Sequence, residues 1–304
     1  MANDRPKLLI TGASGQLARR AAEIVLESYP PERLTLVSRN PNGLAEFAAR
    51  GVAVRRGDFA DPGSLSEAFA GAQRLLLVSA TDLEKRIVQH ATAIDAALAA
   101  GVRHLIYTSG LEPAPPNPAV VAPSHYATEQ HLARSGATFT VLRNSLYADF
   151  QVPDAARAIE AGRLMHNRGE GLTAYVARED CAAAAAAVLL EEDYGDRCGG
   201  AVYDITGPVA YSATDLAGLY AALGGKPVRA EPLSDAAFIA RLVGDATDDD
   251  HLKYGAALVA SFGRSIREGF MSSCTDTVET LTGRPARNLR DVLRESLASE
   301  VSTK

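Results

Sequence analysis

Lys7-Leu8-Leu9-Ile10-Thr11-Gly12-Ala13-Ser14-Gly15-Gln16-Leu17-Ala18 is the stretch that decides the fold. A short apolar run ends in a turn with two glycines three apart. Helical spacing then resumes at once through Leu17, Ala21, Ile24 and Val25. A buried strand that opens a helix through such a turn has the form of the first βα unit of a dinucleotide-binding sheet. Gly12 permits the tight turn, and Gly15 lets backbone approach a pyrophosphate. Ala18 stands where a third glycine could sit, and there only a small residue is needed for helix–strand packing. The N–H groups that begin the helix then face the anion. Two glycines alone are weak evidence, and a plain βα turn is the bland alternative. The strand before them and the amphipathic helix after them carry the argument.

Outward from this turn, apolar runs recur at 7–11, 34–38, 52–55, 75–80, 104–109 and 138–142. Most are continuous rather than alternating, as parallel strands buried on both faces require. Helical spacing separates them, for example Ile87, Ala91, Ile94, Ala97 and Leu98. Pro41-Asn42-Gly43, Asp61-Pro62-Gly63 and Gly101 mark the stops. The pattern predicts an α/β, Rossmann-like, doubly wound parallel sheet in the order 3-2-1-4-5-6. After residue 150 the rhythm changes. Helices are expected at 155–161, 178–190, 214–223, 236–243 and 288–297, with short strands near 173–176, 202–206 and 227–230. Residues 1–150 thus read as an NADP-binding Rossmann-like domain, and 151–304 as mainly a smaller, helix-rich substrate-binding lobe.

The chain has 304 residues, which at about 150 per domain means one large or two unequal domains. Against 31 basic residues stand 37 acidic ones, a net charge of −6 that argues against a nucleic-acid partner. No apolar run approaches the ~20 residues of a membrane span, and the longest is the alanine-rich stretch 182–190. The start, Met-Ala-Asn-Asp-Arg-Pro, carries no secretory pattern. Cys181, Cys198 and Cys274 form no CxxC motif and suggest a reducing compartment, so a cytoplasmic protein is expected. The aspartate-rich segment 245–250 reads as a solvated loop, since it lacks the glycine and terminal glutamate of a calcium loop. The six histidines include no helical HxxxH pair, so no metal site is expected. No GxSxG elbow is present to suggest an acyl hydrolase.

The second strand ends Val37-Ser38-Arg39-Asn40. An acidic residue here would hold a ribose 2′-hydroxyl, whereas Arg39 suits a 2′-phosphate through charge-assisted bonds. The competing reading is a surface arginine beside the turn at Pro41. Asp58 and Phe59 could flank an adenine as amide acceptor and apolar wall, or simply lead into the turn at Asp61. Ser79-Ala80-Thr81 follows the fourth strand, where the strand order reverses and a ligand should lie. Together these residues favour NADP(H) as cofactor.

With these motifs quoted, the chain resembles the atypical short-chain dehydrogenase/reductase superfamily, in its NmrA-like branch. The likeness is to the NAD(P)H:quinone oxidoreductase type 2 group and its triphenylmethane-dye reductase relatives. It is carried by Ile10 to Leu17, Val37-Ser38-Arg39-Asn40-Pro41, Tyr107-Thr108-Ser109, His125 with Thr128-Glu129, and Leu142-Arg143-Asn144-Ser145-Leu146-Tyr147. Arg178-Glu179-Asp180 and the alanine-rich helix extend it into the second half. The resemblance implies that Gly12, Ala13, Ser14, Gly15, Gln16, Leu17, Arg39, Ser79, Ala80, Thr81 and Asn144 contact the dinucleotide. Ala18, in place of the usual third glycine, is a departure that barely touches this inference.

Many short-chain dehydrogenases use a Tyr-x-x-x-Lys pair, in which the lysine lowers the tyrosine pKa. Ser109 is in the expected place and Tyr126 lies 17 residues later, but Gln130 stands where the lysine would be. A neutral amide cannot supply the positive field, so Tyr126 reads either as an acid or as a helix residue bordering the pocket. His125 enters as a pocket polar group by the resemblance, with pairing to Glu129 as the bland alternative. Tyr147 and Phe150 are the candidates for the apolar walls around a substrate. The expected function is NADPH-dependent hydride transfer to a quinone or similar conjugated electrophile, a small-molecule acceptor. An NADP(H)-sensing regulatory protein and a ketone or imine reductase remain alternatives. Oligomeric state cannot be read from the sequence, and a homodimer is compatible with it.

Overall fold

The computed structural model describes residues 5–191, 200–244 and 248–302. Cys198, Asp245 and the opening residues 1–4 lie outside them. The first half lays down β1 (Leu8–Ile10), β2 (Leu34–Ser38), β3 (Ala53–Arg56), β4 (Arg74–Leu77), β5 (His104–Gly110) and β6 (Thr138–Asn144). Their helices are α1 (Gln16–Val25), α2 (Ala45–Ala49), α3 (Pro62–Phe69), α4 (Arg86–Ala99) and α5 (Ala122–Arg134). The second half adds α6 (Gln151–Ala161), β7 (Arg163–His166), α7 (Arg178–Leu190), β8 (Ala201–Ile205), α8 (Ala213–Gly224), β9 (Arg229–Pro232) and α9 (Asp235–Val243). It ends with α10 (Asp250–Arg267), α11 (Thr277–Thr282) and α12 (Leu289–Ser302). No helix among the described residues is long and apolar enough to cross a membrane.

The main sheet is parallel throughout, in the order β3-β2-β1-β4-β5-β6-β8. It is a Rossmann-like α/β sheet whose first six strands follow the expected order. Period-two alternation divides its core in two. Leu8, Ile10, Leu36, Leu76, Ile106 and Leu142 face α1 and α7, while Leu9, Val37, Leu75, Leu77, Leu105, Tyr107 and Val141 face α3, α4 and α5. Both faces are apolar because both are covered, which is why the strands read as continuous hydrophobic runs. The alanine run of α7 has its reason here. Ala182, Ala184, Ala185 and Ala186 pack in one cluster with Ala18, Ala21 and Ala22 of α1, all fully buried. Ala18 therefore does what a third glycine would do.

The second half departs from expectation in three ways. The chain crosses back over residue 150, for α7 covers the main sheet and β8 becomes its seventh strand beside β6. Segment 173–176 makes only isolated bridges, Thr173 to Tyr211 and Val176 to Tyr147. The strand lies instead at β7, which leaves the left-handed Gly162 (φ 67°) and pairs with β9 in a small sheet. Aspartates 249 and 250 do not sit in a loop. Asp249 caps α10, accepting from the Leu252 N–H at 3.0 Å, and Asp250 occupies its first turn. An N-cap aspartate satisfies a backbone donor that the helix cannot.

Candidate active site

The glycine turn sits at the carboxyl end of β1, which pairs with β2 on one side and β4 on the other. Gly12 adopts φ 63°, a left-handed conformation that favours glycine, and its carbonyl accepts the Gly15 N–H at 2.8 Å. Gly15 is the N-cap of α1 without a side-chain cap, and the first turn holds no acidic residue. The opening N–H groups of α1 are therefore left for an anion. They face a cleft of about 540 Å³ at the switch point of the sheet. Gly12, Ser14, Gly15, Gln16 and Leu17 line it, as do Arg39, Asp58, Phe59, Ser79, Ala80 and Thr81. Ala13 does not. It is fully buried, and its N–H ties the turn to β2 through the Val37 carbonyl at 3.1 Å.

Arg39 is exposed on the rim, and among the described residues its guanidinium has no ion-pair partner. Its neighbour Ser38 is buried and donates to the Ser14 hydroxyl at 3.2 Å. Gly57 keeps the floor narrow, since a Cβ there would stand 2.5 Å from the Val37 methyl. The Asp58 carboxylate is engaged locally by the Ala60 N–H at 3.0 Å.

At the other end, Tyr147, Phe150 and Arg178 complete the cleft. Arg178 is missing from the sequence-based site because it begins a helix 28 residues after Phe150. Asp149 holds it, accepting from its backbone N–H at 2.9 Å and its guanidinium at 3.0 Å. The guanidinium carbon lies 5.2 Å from the Tyr147 ring centre and 5.6 Å from that of Phe150, within cation–π range. Burial pushes the Tyr147 phenol above its ordinary value. Asn144 donates to the Tyr147 hydroxyl at 3.4 Å, while its own Oδ1 is buried with no partner. An orphaned carbonyl oxygen suits a ligand amide. Asn144 lies outside the main cleft, in a second, smaller cavity of about 40 Å³ with Gly110, Leu111, His125, Phe262 and Met271.

Between the two cavities runs a buried polar network. The Ala80 N–H donates to His90 Nε2 at 2.9 Å, and the Ala80 carbonyl accepts from Arg86 Nε at 2.7 Å. With Nε2 accepting, the neutral His90 ring carries its proton on Nδ1 and donates to Thr128 Oγ1 at 2.9 Å. Arg86, which can only donate, reaches His125 Nε2 at 3.4 Å. His125 therefore presents Nδ1–H to the Tyr107 hydroxyl at 2.7 Å. Burial first, and then the nearby Arg86 charge, lower both His90 and His125 to about 3. The rings are neutral, and His125 has no uncommitted N–H to offer the pocket. Gly110 makes room for its carbon edge, for a Cβ there would lie 3.3 Å from Cδ2.

The pairing of His125 with Glu129 does not occur. Glu129 instead takes the Ser109 hydroxyl at 2.7 Å and a bidentate pair from Arg143 at 3.0 and 2.7 Å. The expected serine is thus committed to a structural carboxylate. Tyr126 is half-buried on α5 and lines neither cavity. An acid must lie within hydrogen-bond reach of the proton it moves, and Tyr126 borders neither of these two cavities. Among the residues the sequence did not single out, Arg178, Phe262 and Met271 line the cavities, and Arg86 and His90 bond to the Ala80 backbone. No local motif marks them, although Arg86 and His90 do stand one helical turn apart.

The fold agrees with that of known NAD(P)H-binding proteins. Residues 12–192 match a family model described as NAD(P)H-binding. Quinone oxidoreductase 2 of Escherichia coli is 34% identical over 284 residues, covering 93% of this chain and 96% of that protein. A crystal structure of the E. coli NADPH-dependent quinone oxidoreductase complexed with NADPH superposes with a TM-score of 0.88. It is 33% identical and covers 95% of this chain and 99% of that one. The NADP(H) complex of Citrobacter triphenylmethane reductase is 31% identical at a TM-score of 0.86, with the same coverage. The chain therefore belongs to the NAD(P)H-binding family, as a homologue of quinone oxidoreductase 2.

Proposed function

We propose that the chain is a reductase that uses NADPH to reduce a quinone or a similarly conjugated electrophile. One observation carries the reading. An open cleft with an uncapped helix N-terminus and a cationic rim is linked, through Ala80, Arg86 and His125, to a small and mostly apolar cavity with no acid among its lining residues. When bound, NADPH supplies a hydride. The opening N–H groups of α1 hold the pyrophosphate, and Arg39 reads the 2′-phosphate. The orphaned Asn144 Oδ1 accepts from the carboxamide, and Tyr147 and Phe150 under Arg178 wall the inner end. Asp58 and Phe59 flank the adenine.

The proton economy follows from the residues present. Reduction of a ketone leaves a strongly basic alkoxide, which gains greatly from a positioned acid. A quinone leaves a delocalised phenolate-type anion that takes its proton from water. With Tyr126 outside both cavities and His125 fully hydrogen-bonded, the second chemistry suits the site. Proximity then supplies most of the acceleration. Residues after 150, apart from α7 and β8, form the acceptor-binding lobe. The sparse cysteines suit a cytoplasmic enzyme acting on small molecules.

A screen of NADPH oxidation across quinones, triphenylmethane dyes, ketones and imines tests the reading. Steady turnover that is highest with quinones is expected. Tight NADP(H) binding with no turnover on any acceptor would overturn it in favour of a sensing protein, and a preference for ketones would overturn the acceptor class.

A further inference from the structure

Arg86 opens α4 between the two cavities. It is 7% exposed and bonded to one lining residue of each: the Ala80 carbonyl in the cofactor cleft at 2.7 Å and His125 Nε2 in the second cavity at 3.4 Å. Its third contact, the Ser124 hydroxyl at 3.4 Å, is also neutral. The charged and titratable groups around it are Asp82, Tyr107, Tyr254, His90 and His125. Both histidines are neutral and Tyr107 is held in its phenol form by burial. Asp82 is the opposite charge among them, and it is engaged by Lys85 through its backbone N–H at 3.2 Å and its ammonium at 3.9 Å. A guanidinium does not give up its proton under such conditions. The segment that ties Ala80 of the cleft to His125 of the second cavity thus holds a desolvated positive charge with neutral hydrogen-bond partners. In a low-dielectric interior such a charge acts over several ångströms.

We infer that Arg86 sets the charge class of the acceptor, favouring neutral acceptors that become anions on hydride addition over acceptors that are already cations. The inference rests on the hydride-transfer reading above. In the favoured step a quinone gains a hydrogen and an electron pair. An O–H bond forms at one oxygen, negative charge collects on the opposite oxygen, and a water proton completes the hydroquinone. The donor C–H bond is the one that breaks, and the cofactor is oxidised. Arg86 stabilises the negative charge as it develops, so its effect falls on the rate rather than on binding of the neutral quinone. A cationic triphenylmethane dye behaves oppositely, because hydride addition at its central carbon gives a neutral product. Arg86 then opposes binding and offers nothing to the transition state. It supplies the positive field that Gln130, in the place of a lysine, cannot supply.

The test compares Arg86→Gln, which removes the charge, with Arg86→Lys, which keeps it. For a neutral quinone, R86Q is expected to lower kcat/KM about tenfold or more, mainly through kcat, with R86K recovering most of the loss. For a cationic triphenylmethane dye, R86Q is expected to leave kcat/KM unchanged or raise it. A parallel loss for both acceptors would reduce Arg86 to a structural role and overturn the inference. A nitrophenol, whose colour reports its ionisation, gives a readout without turnover. Bound to the wild-type chain it is expected to titrate at lower pH than in water, and to shift back upward in R86Q. If R86Q does not fold, the wild-type titration decides, and a bound nitrophenol driven towards its neutral form, or none bound, counts against Arg86. Absence of quinone turnover in the wild-type chain would instead remove the functional reading while leaving the titration to judge the charge.

Discussion

The two ends of the site are built on opposite plans. The outer end is built largely of backbone at four consecutive strand ends, open and exposed, with Gly12, Gly15 and Gly57 keeping side chains out of the way. The inner end is made of side chains, among them buried ones such as Arg86, His90, His125 and Asn144, linked by hydrogen bonds between residues such as Arg86 and His125 that are 39 positions apart. A backbone cradle tolerates almost any neighbour but no added Cβ. A side-chain network tolerates added bulk poorly everywhere and depends on each member's charge and tautomer. Change at the outer end should therefore show in cofactor affinity, and change at the inner end in pH response and acceptor choice.

The largest separation of the two ends is expected from Gly12→Val. A β-branched residue at φ 63° is strained and also crowds the approach to the pyrophosphate. NADPH affinity should fall by about 100-fold or more, at least ~2.7 kcal/mol. Fluorescence titration measures this, and a loss below about tenfold would mean that the turn does not carry the phosphate. Arg39→Asp comes next, with a loss of about 10–100-fold for NADPH at ~1.4 kcal/mol per tenfold, and much less for NADH. Equal losses for both cofactors would show that Arg39 does not meet the 2′-phosphate.

Acid should act on the inner end. His90 and His125 stand at about 3 in the folded chain, well below the ~6.5 of an unfolded histidine. Between these values the unfolded chain binds more protons, so stability is fully present above about pH 6.5 and is lost as pH falls toward 3. Each ring contributes up to about 1.4 kcal/mol per pH unit to that slope. His104 and His166, both lowered to about 4 by burial, add to it down to that pH. Urea unfolding at several pH values should show the fall, and His90→Gln should make it shallower. A slope unchanged by that substitution would contradict the neutral, buried ring. The smallest effect is expected at Tyr126→Phe, within about threefold in quinone kcat/KM, roughly 0.7 kcal/mol of barrier. A loss of several orders of magnitude would return Tyr126 to the role of an acid.

The same contrast explains what could be read from the sequence. The residues that line the cleft are legible because the outer end is local, each strand ending within a few residues of its contribution. Gly12, Ser14 to Leu17, Arg39 and Ser79 to Thr81 could be named from position alone and line the cleft, whereas Ala13, named with them, is buried behind it. His125 and Asn144 entered only through likeness to a family. Arg86 and His90 look like ordinary polar positions of a surface helix, and only the packing of α4 against α5 buries them. Arg178 needs the return of α7 to the main sheet, which no local pattern announces. The 18-residue α10 was hidden by its aspartates, because a cap and an acidic first turn resemble a polar loop until the helix behind them is seen.

Hydride transfer requires that cofactor and acceptor be held together across the two ends of the site. A single-turnover experiment addresses it most directly. The NADPH-loaded chain is mixed with a neutral quinone in a stopped-flow instrument, and NADPH absorbance is followed. The structure predicts one phase that consumes the bound NADPH stoichiometrically, with a rate that saturates as quinone rises. Bound NADPH that persists unchanged at saturating quinone would contradict the account.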